Sequence, residues 1–153
     1  MRGFSLRLVT ALALCSILLA LSQAGFAQRR AVVYTRADVN ALIHRVEDRS
    51  DAFVKIFDNA LDKSGLNGTH KEDRLNDKAK ELEKQLDKVR DEFDDREDYR
   101  DVREHVAKAL SVSDEINRVL RNRRMTYEVE RQWGLLRSEL NRLARVYNIR
   151  PLR

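Results

Sequence analysis

Ser50-Asp51-Ala52-Phe53-Val54-Lys55-Ile56-Phe57-Asp58-Asn59 and Ser113-Asp114-Glu115-Ile116-Asn117-Arg118-Val119-Leu120-Arg121-Asn122 share a Ser-Asp opening, apolar residues at matching places and a closing Asn. Working outward from the first stretch, Val39, Ile43, Val46, Ser50, Phe53 and Phe57 follow one another at spacings of 4, 3, 4, 3 and 4. From the second, Val102, Val106, Ala109, Ser113, Ile116 and Leu120 give the same ladder displaced by 63 positions. That rhythm places the apolar side chains on one stripe of a helix, whereas a half-buried strand alternates every second residue.

A second ladder follows each of these. Leu75, Ala79, Leu82, Leu86, Val89 and Phe93 match Val129, Trp133, Leu136, Leu140, Leu143 and Tyr147 at an offset of 54. The chain therefore reads as two pseudo-repeated helical hairpins. They predict an all-α, antiparallel up-down four-helix bundle over residues 35–148, with hairpin one at about 35–95 and hairpin two at about 98–148. Helices in such a bundle pack about 20° from antiparallel. Phe53, Phe57, Phe93, Ile116, Leu120, Trp133, Leu136, Leu140 and Leu143 are the expected centre of its core.

Local signals punctuate the ladders. Thr35 with Asp38 is a helix start, because a hydroxyl and a carboxylate satisfy first-turn amides. Ser64-Gly65 and Asn67-Gly68 supply a stop and a turn, and Thr69-His70-Lys71-Glu72 has the form of a capping box. Asp98 with Asp101 repeats the Thr35–Asp38 spacing, so a turn is expected at 93–99. No Gly or Pro marks that turn, and one continuous helix from 70 to 122 competes with it. Arg121 to Met125 forms the next turn, Thr126 caps the last helix, and residues 149–153 are left as a C-terminal tail.

Residues 1–27 stand apart. Arg2 and Arg7 precede an apolar run from Leu8 to Leu21, and small residues close it at Ala24-Gly25-Phe26-Ala27, the order of parts in a secretory signal peptide. A flexible segment over 28–34 would follow. This predicts a periplasmic or secreted protein, with membrane attachment only if the segment stays uncleaved as an anchor. The single Cys, Cys15, lies inside the segment, so the mature chain has no thiol chemistry and no disulfide.

Charge differs between the halves. Residues 35–97 carry 13 Lys or Arg against 17 Asp or Glu, and residues 98–153 carry 13 against 8. One consequence expected of this is attraction between an acidic and a basic hairpin. A sharper one is that Arg118, Arg121, Arg123 and Arg124 form a basic bundle end that meets an unknown envelope protein or an anionic surface. Nucleic acid is not expected, because no aromatic residues interleave with these arginines as stacking platforms.

Catalytic and cofactor patterns are missing. His44, His70 and His105 have no Glu three residues before them, and neither H-E-x-x-H nor C-x-x-C-H occurs. No catalytic, cofactor or metal residue is assigned and no enzyme is expected. Ser50 and Ser113 interrupt the core ladders; each hydroxyl is expected to bond back to a carbonyl one turn earlier. The leading expectation is an exported, non-enzymatic structural or interaction module of the cell envelope, a monomer or a swapped dimer. The alternative is a four-helix bundle that binds a small ligand, metal or haem near the two serines.

Overall fold

The computed structural model describes residues 34–95 and 98–153. These form four α-helices and no strand: α1 (Arg36–Asp62), α2 (His70–Asp95), α3 (Tyr99–Asn122) and α4 (Tyr127–Val146). The expected signal peptide over 1–27 lies outside the described residues, as does the segment after it up to residue 33. Among the described residues no helix is long and apolar enough to cross a membrane.

The helix starts follow the local chemistry. Asp38 N–H donates to Thr35 Oγ1 at 3.1 Å while Thr35 N–H donates to Asp38 Oδ2 at 2.9 Å, a complete capping box. The box at Thr69 is displaced by one residue. Glu72 N–H donates to Thr69 Oγ1 at 3.3 Å, but the Glu72 carboxylate accepts from Gly68 N–H at 2.6 Å, because the Thr69 amide is already bonded to Leu66 O. Gly68 has φ +72°, a left-handed conformation that a residue without Cβ adopts at little cost. At the second connection Asp98 accepts from Arg100 N–H at 2.8 Å and opens α3 without Gly or Pro nearby, so α2 and α3 are separate helices. Thr126 accepts from Val129 N–H and opens α4.

Every position of the four ladders is buried. The core runs between the helices, with Phe53 stacked on Phe57 at 5.1 Å between ring centroids and tilted against Trp133 at the same distance. A fully buried Leu or Phe contributes about 1.5–3 kcal/mol, so these stripes supply the main drive to fold. The seams are unequal. α1 lies close along α2 and α4, and α2 along α3, whereas α3 and α4 approach each other at few points.

The two core serines differ. Ser113 Oγ donates to Ala109 O at 2.7 Å, as expected, but the fully buried Ser50 hydroxyl has no hydrogen-bond partner among the described residues. Among the described residues, the ion pairs between the hairpins do not run from acids of the first to bases of the second. The pairs that join them, Lys78 with Glu115 at 3.1 Å and Arg45 with Glu139 at 3.7 Å, place the base on the first hairpin and the acid on the second. Within hairpin one, Arg90 pairs with Glu47.

An unpartnered buried hydroxyl costs about 1–3 kcal/mol, whereas a satisfied one contributes about 1 kcal/mol. Ser50→Ala is therefore expected to leave stability unchanged or raise it, and Ser113→Ala to lower it by up to about 1 kcal/mol. Urea unfolding of the two variants checks this; a larger loss in Ser50→Ala than in Ser113→Ala contradicts it.

Candidate functional site

The basic residues expected to meet a partner lie where α3 ends. Arg118 and Arg121 are on its last turns, Arg123 is its C-cap and Arg124 lies in the connection to α4. All four are exposed. Arg118 pairs with Asp114 one turn earlier at 3.1 Å, while Arg121, Arg123 and Arg124 make no ion pair among the described residues. The negative end of the helix dipole accounts for one or two cations here, at about 0.3–1 kcal/mol each. On the α2 side, Lys71, Arg74 and Lys78 rim a groove of about 360 Å³ floored by Leu75, Ile116 and Val119, with Asp77 and Glu115 on the same rim.

The loose α3–α4 seam holds a second feature, which the ladders do not announce. Asn117 is 2% exposed. Its Oδ1 accepts from the indole N–H of Trp133 at 3.1 Å and its Nδ2 donates to the carbonyl of Arg153 at 2.6 Å. Opposite, on α4, Asn141 pairs with the backbone of Leu152 in both senses: Leu152 N–H donates to Oδ1 at 2.7 Å and Nδ2 donates to Leu152 O at 3.2 Å. Residues 149–153 thus lie across the seam, with Ile149 and Leu152 packed on the core. They line a cleft of about 410 Å³ with Ala107, Leu110, Ser111 and Asp114 of α3.

The end of α4 aims the tail there. Ile149 N–H donates to Ala144 O at 2.8 Å, Asn148 N–H to Arg145 O at 3.3 Å, and Asn148 has φ +51°. That is a Schellman motif, in which a left-handed residue after the C-cap reverses the chain; Asn tolerates the conformation better than other side chains except Gly. Pro151 then cannot resume a helix. Arg103 Nε donates to Tyr147 O at 3.1 Å, and Tyr99 stacks on Tyr147 at 5.3 Å, tying the start of α3 to the end of α4. Burial, and then the nearby Tyr99, push the Tyr147 hydroxyl up to about 12.

The remaining candidates do not converge. His44 and His70 lie exposed on α1 and at the start of α2, each within 3.8 Å of a carboxylate on its own helix, and His105 is on α3. Among the described residues no group of three or more His, Cys, Asp or Glu is placed to hold a metal ion. On the outer face of hairpin one, the Asp51 carboxyl is raised above its ordinary value by burial and then by Asp87 and Asp48, with Arg90 opposing. Glu83 is raised by burial and then by Asp51 and Asp87, with Lys80 opposing. Asp38 is lowered by the Thr35 hydrogen bonds, and Glu104 by Lys108.

No family model, curated protein or solved structure matches this chain. The reading of its surface therefore rests on geometry and chemistry alone.

Two outcomes follow. Asn117→Ala leaves the buried Trp133 N–H without an acceptor, a loss of about 1–3 kcal/mol, visible in urea unfolding followed by Trp133 emission. A change under about 0.5 kcal/mol contradicts the buried relay. For Asp51, the folded state holds the proton more tightly than the unfolded chain. The chain thus loses stability as pH rises from the unfolded value through the higher folded one, and the penalty is complete above it. Asp51→Asn is expected to raise Tm at about pH 7 and to match the parent near pH 3, where both states are largely protonated. An equal Tm shift at both pH values contradicts this.

Proposed function

We propose that the chain is an exported, non-enzymatic helical bundle built from two pseudo-repeated hairpins, which acts as an interaction module in the cell envelope. Its basic end, Arg118, Arg121, Arg123 and Arg124, meets an anionic partner. The observation that carries the reading is that Arg121, Arg123 and Arg124 are exposed together at one helix end without an acidic partner among the described residues, more cations than the helix dipole needs. Arginine presents a planar fork of donors suited to carboxylate or phosphate, and such clusters steer association with anionic surfaces.

The sense of the ion pairs between hairpins supports the same reading. With the base on hairpin one and the acid on hairpin two in both pairs, the excess Arg of the second half is not consumed in holding the bundle closed.

The variant Arg121→Glu/Arg123→Glu/Arg124→Glu is expected to keep its helical circular dichroism and to lose binding to anionic vesicles or to its cross-linked neighbour in the envelope. Each cation near an anionic membrane surface contributes about 1 kcal/mol, so three reversals should weaken vesicle binding by at least roughly a hundredfold. Unchanged binding in both assays refutes the proposal.

A further inference from the structure

We infer that the groove between α2 and α3 is a binding site for a single-chain fatty carboxylate, with the head on Lys71 and Arg74 and the hydrocarbon over Leu75, Ile116 and Val119. None of Arg118, Arg121, Arg123 and Arg124 lines this groove, so the site goes beyond the basic end.

The two ends of the groove differ in charge. At one end Lys78 Nζ lies 3.1 Å from Glu115 Oε2, bridging α2 to α3, and Asp77 lines the groove beside Lys78. That end carries two acids for one base. Arg74 and Lys71 line the groove one and two helical turns back from Lys78, toward the start of α2. Both are exposed, and neither forms an ion pair among the described residues. Their end of the lining has two cations and no acid. Across the whole lining Lys71, Arg74 and Lys78 exceed Asp77 and Glu115 by one positive charge. A single carboxylate neutralises that excess, whereas a phosphate monoester, with about two negative charges, overshoots it.

The helix itself does not account for this placement. Lys71 stands in the first turn of α2, where the dipole is positive and disfavours a cation. A carboxylate held there is favoured both by the cations and by the dipole.

Between the two ends the floor is apolar. Leu75 and Ile116 are buried, and the half-buried Val119 lies one turn beyond Glu115. The alkyl stems of Lys71 and Arg74 extend this apolar surface up to their charged heads. At about 360 Å³ the space is near the lower limit of small-ligand pockets, which run from about 300 to 1,000 Å³. It suits one hydrocarbon chain and not the paired chains of a bilayer lipid.

The test uses the full chain and follows the methyl resonances of Leu75, Ile116 and Val119 by NMR, so that binding elsewhere is not mistaken for binding here. The probe is dodecanoate, kept below the concentration at which it forms micelles. It is expected to shift all three residues saturably. Octanoate should bind at least roughly tenfold more weakly, since each methylene buried in the groove tightens binding by up to about fourfold. Dodecyltrimethylammonium, with the same tail and a cationic head, should also bind at least roughly tenfold more weakly. The variant Lys71→Glu/Arg74→Glu changes two exposed residues and should keep its helical circular dichroism. It is expected to lose dodecanoate affinity at least roughly fivefold and to prefer the cationic amphiphile.

No shift at the three residues, equal affinity for the two head groups, or unchanged dodecanoate affinity in the double variant overturns the inference. Arg121→Glu/Arg123→Glu/Arg124→Glu is expected to bind dodecanoate as the parent does; loss of binding there overturns the inference by moving the head to the basic end. If dodecanoate fails while that triple variant still abolishes vesicle or envelope binding, the basic end stands and only the groove falls.

Discussion

The hydrogen bond from Trp133 to Asn117 is the constraint around which the second hairpin is arranged. An indole N–H buried in a helical bundle needs an acceptor, and the facing helix can supply one only by placing a polar side chain where its neighbours are apolar. A carboxamide that accepts through Oδ1 still carries two donor hydrogens on Nδ2, which must be satisfied in turn. Arg153 provides that acceptor at 2.6 Å. One buried aromatic donor thereby recruits a polar residue, and the polar residue recruits the tail.

The same pair lies at the loosest of the four seams. At the offsets of 63 and 54 that align the ladders, Asn117 falls opposite Val54 and Trp133 opposite Ala79. Ala79 is small and lets the backbones of α1 and α2 come close, and that seam is tight. Trp133, on α4, lies against Phe53 of α1 and donates to Asn117 of α3, and α3 and α4 approach each other at few points. Ile149 and Leu152 pack on the core at that seam. The tail is thus a structural part of the second hairpin where the first has none.

The sequence made the helices easy to read for a physical reason. Spacings of 4 and 3 constrain which residues face inward whatever the partner helix, and a cap such as Thr35–Asp38 is decided within three residues. The Asp98 turn was harder, because the cap is a single Asp in a run of charges. The α3–α4 site was not legible. Asn117 stands one position beyond Ile116 in the ladder and looks like any polar neighbour of a core residue; its partners are 16 and 36 positions away, at Trp133 and Arg153. The signal that would have pointed to it is the combination of a lone Trp in the facing ladder with Asn148 and Pro151, which ends a helix and sends an extended chain back along it. Ser50 shows the reverse limit: a local back-bond was chemically available to both serines, and only Ser113 makes it.

Charge is segregated in this molecule in a way that internal stability does not explain. On hairpin one, burial and then the neighbouring Asp87 and Asp48 raise the Asp51 carboxyl, and burial with Asp51 and Asp87 raises that of Glu83, a cost to the folded state. On hairpin two, arginines flank a tail that is itself basic. Were the two halves charged to attract, ion pairs would join acids of the first to bases of the second, yet among the described residues Lys78–Glu115 and Arg45–Glu139 have the opposite sense. Exposed pairs contribute about 0–1 kcal/mol in any case, too little to organise a core that rests on apolar ladders. Both halves therefore carry a surface charge that their own fold leaves uncompensated. Of the two halves, the second carries the arginines that form no ion pair among the described residues, Arg121, Arg123 and Arg124, at the end of α3.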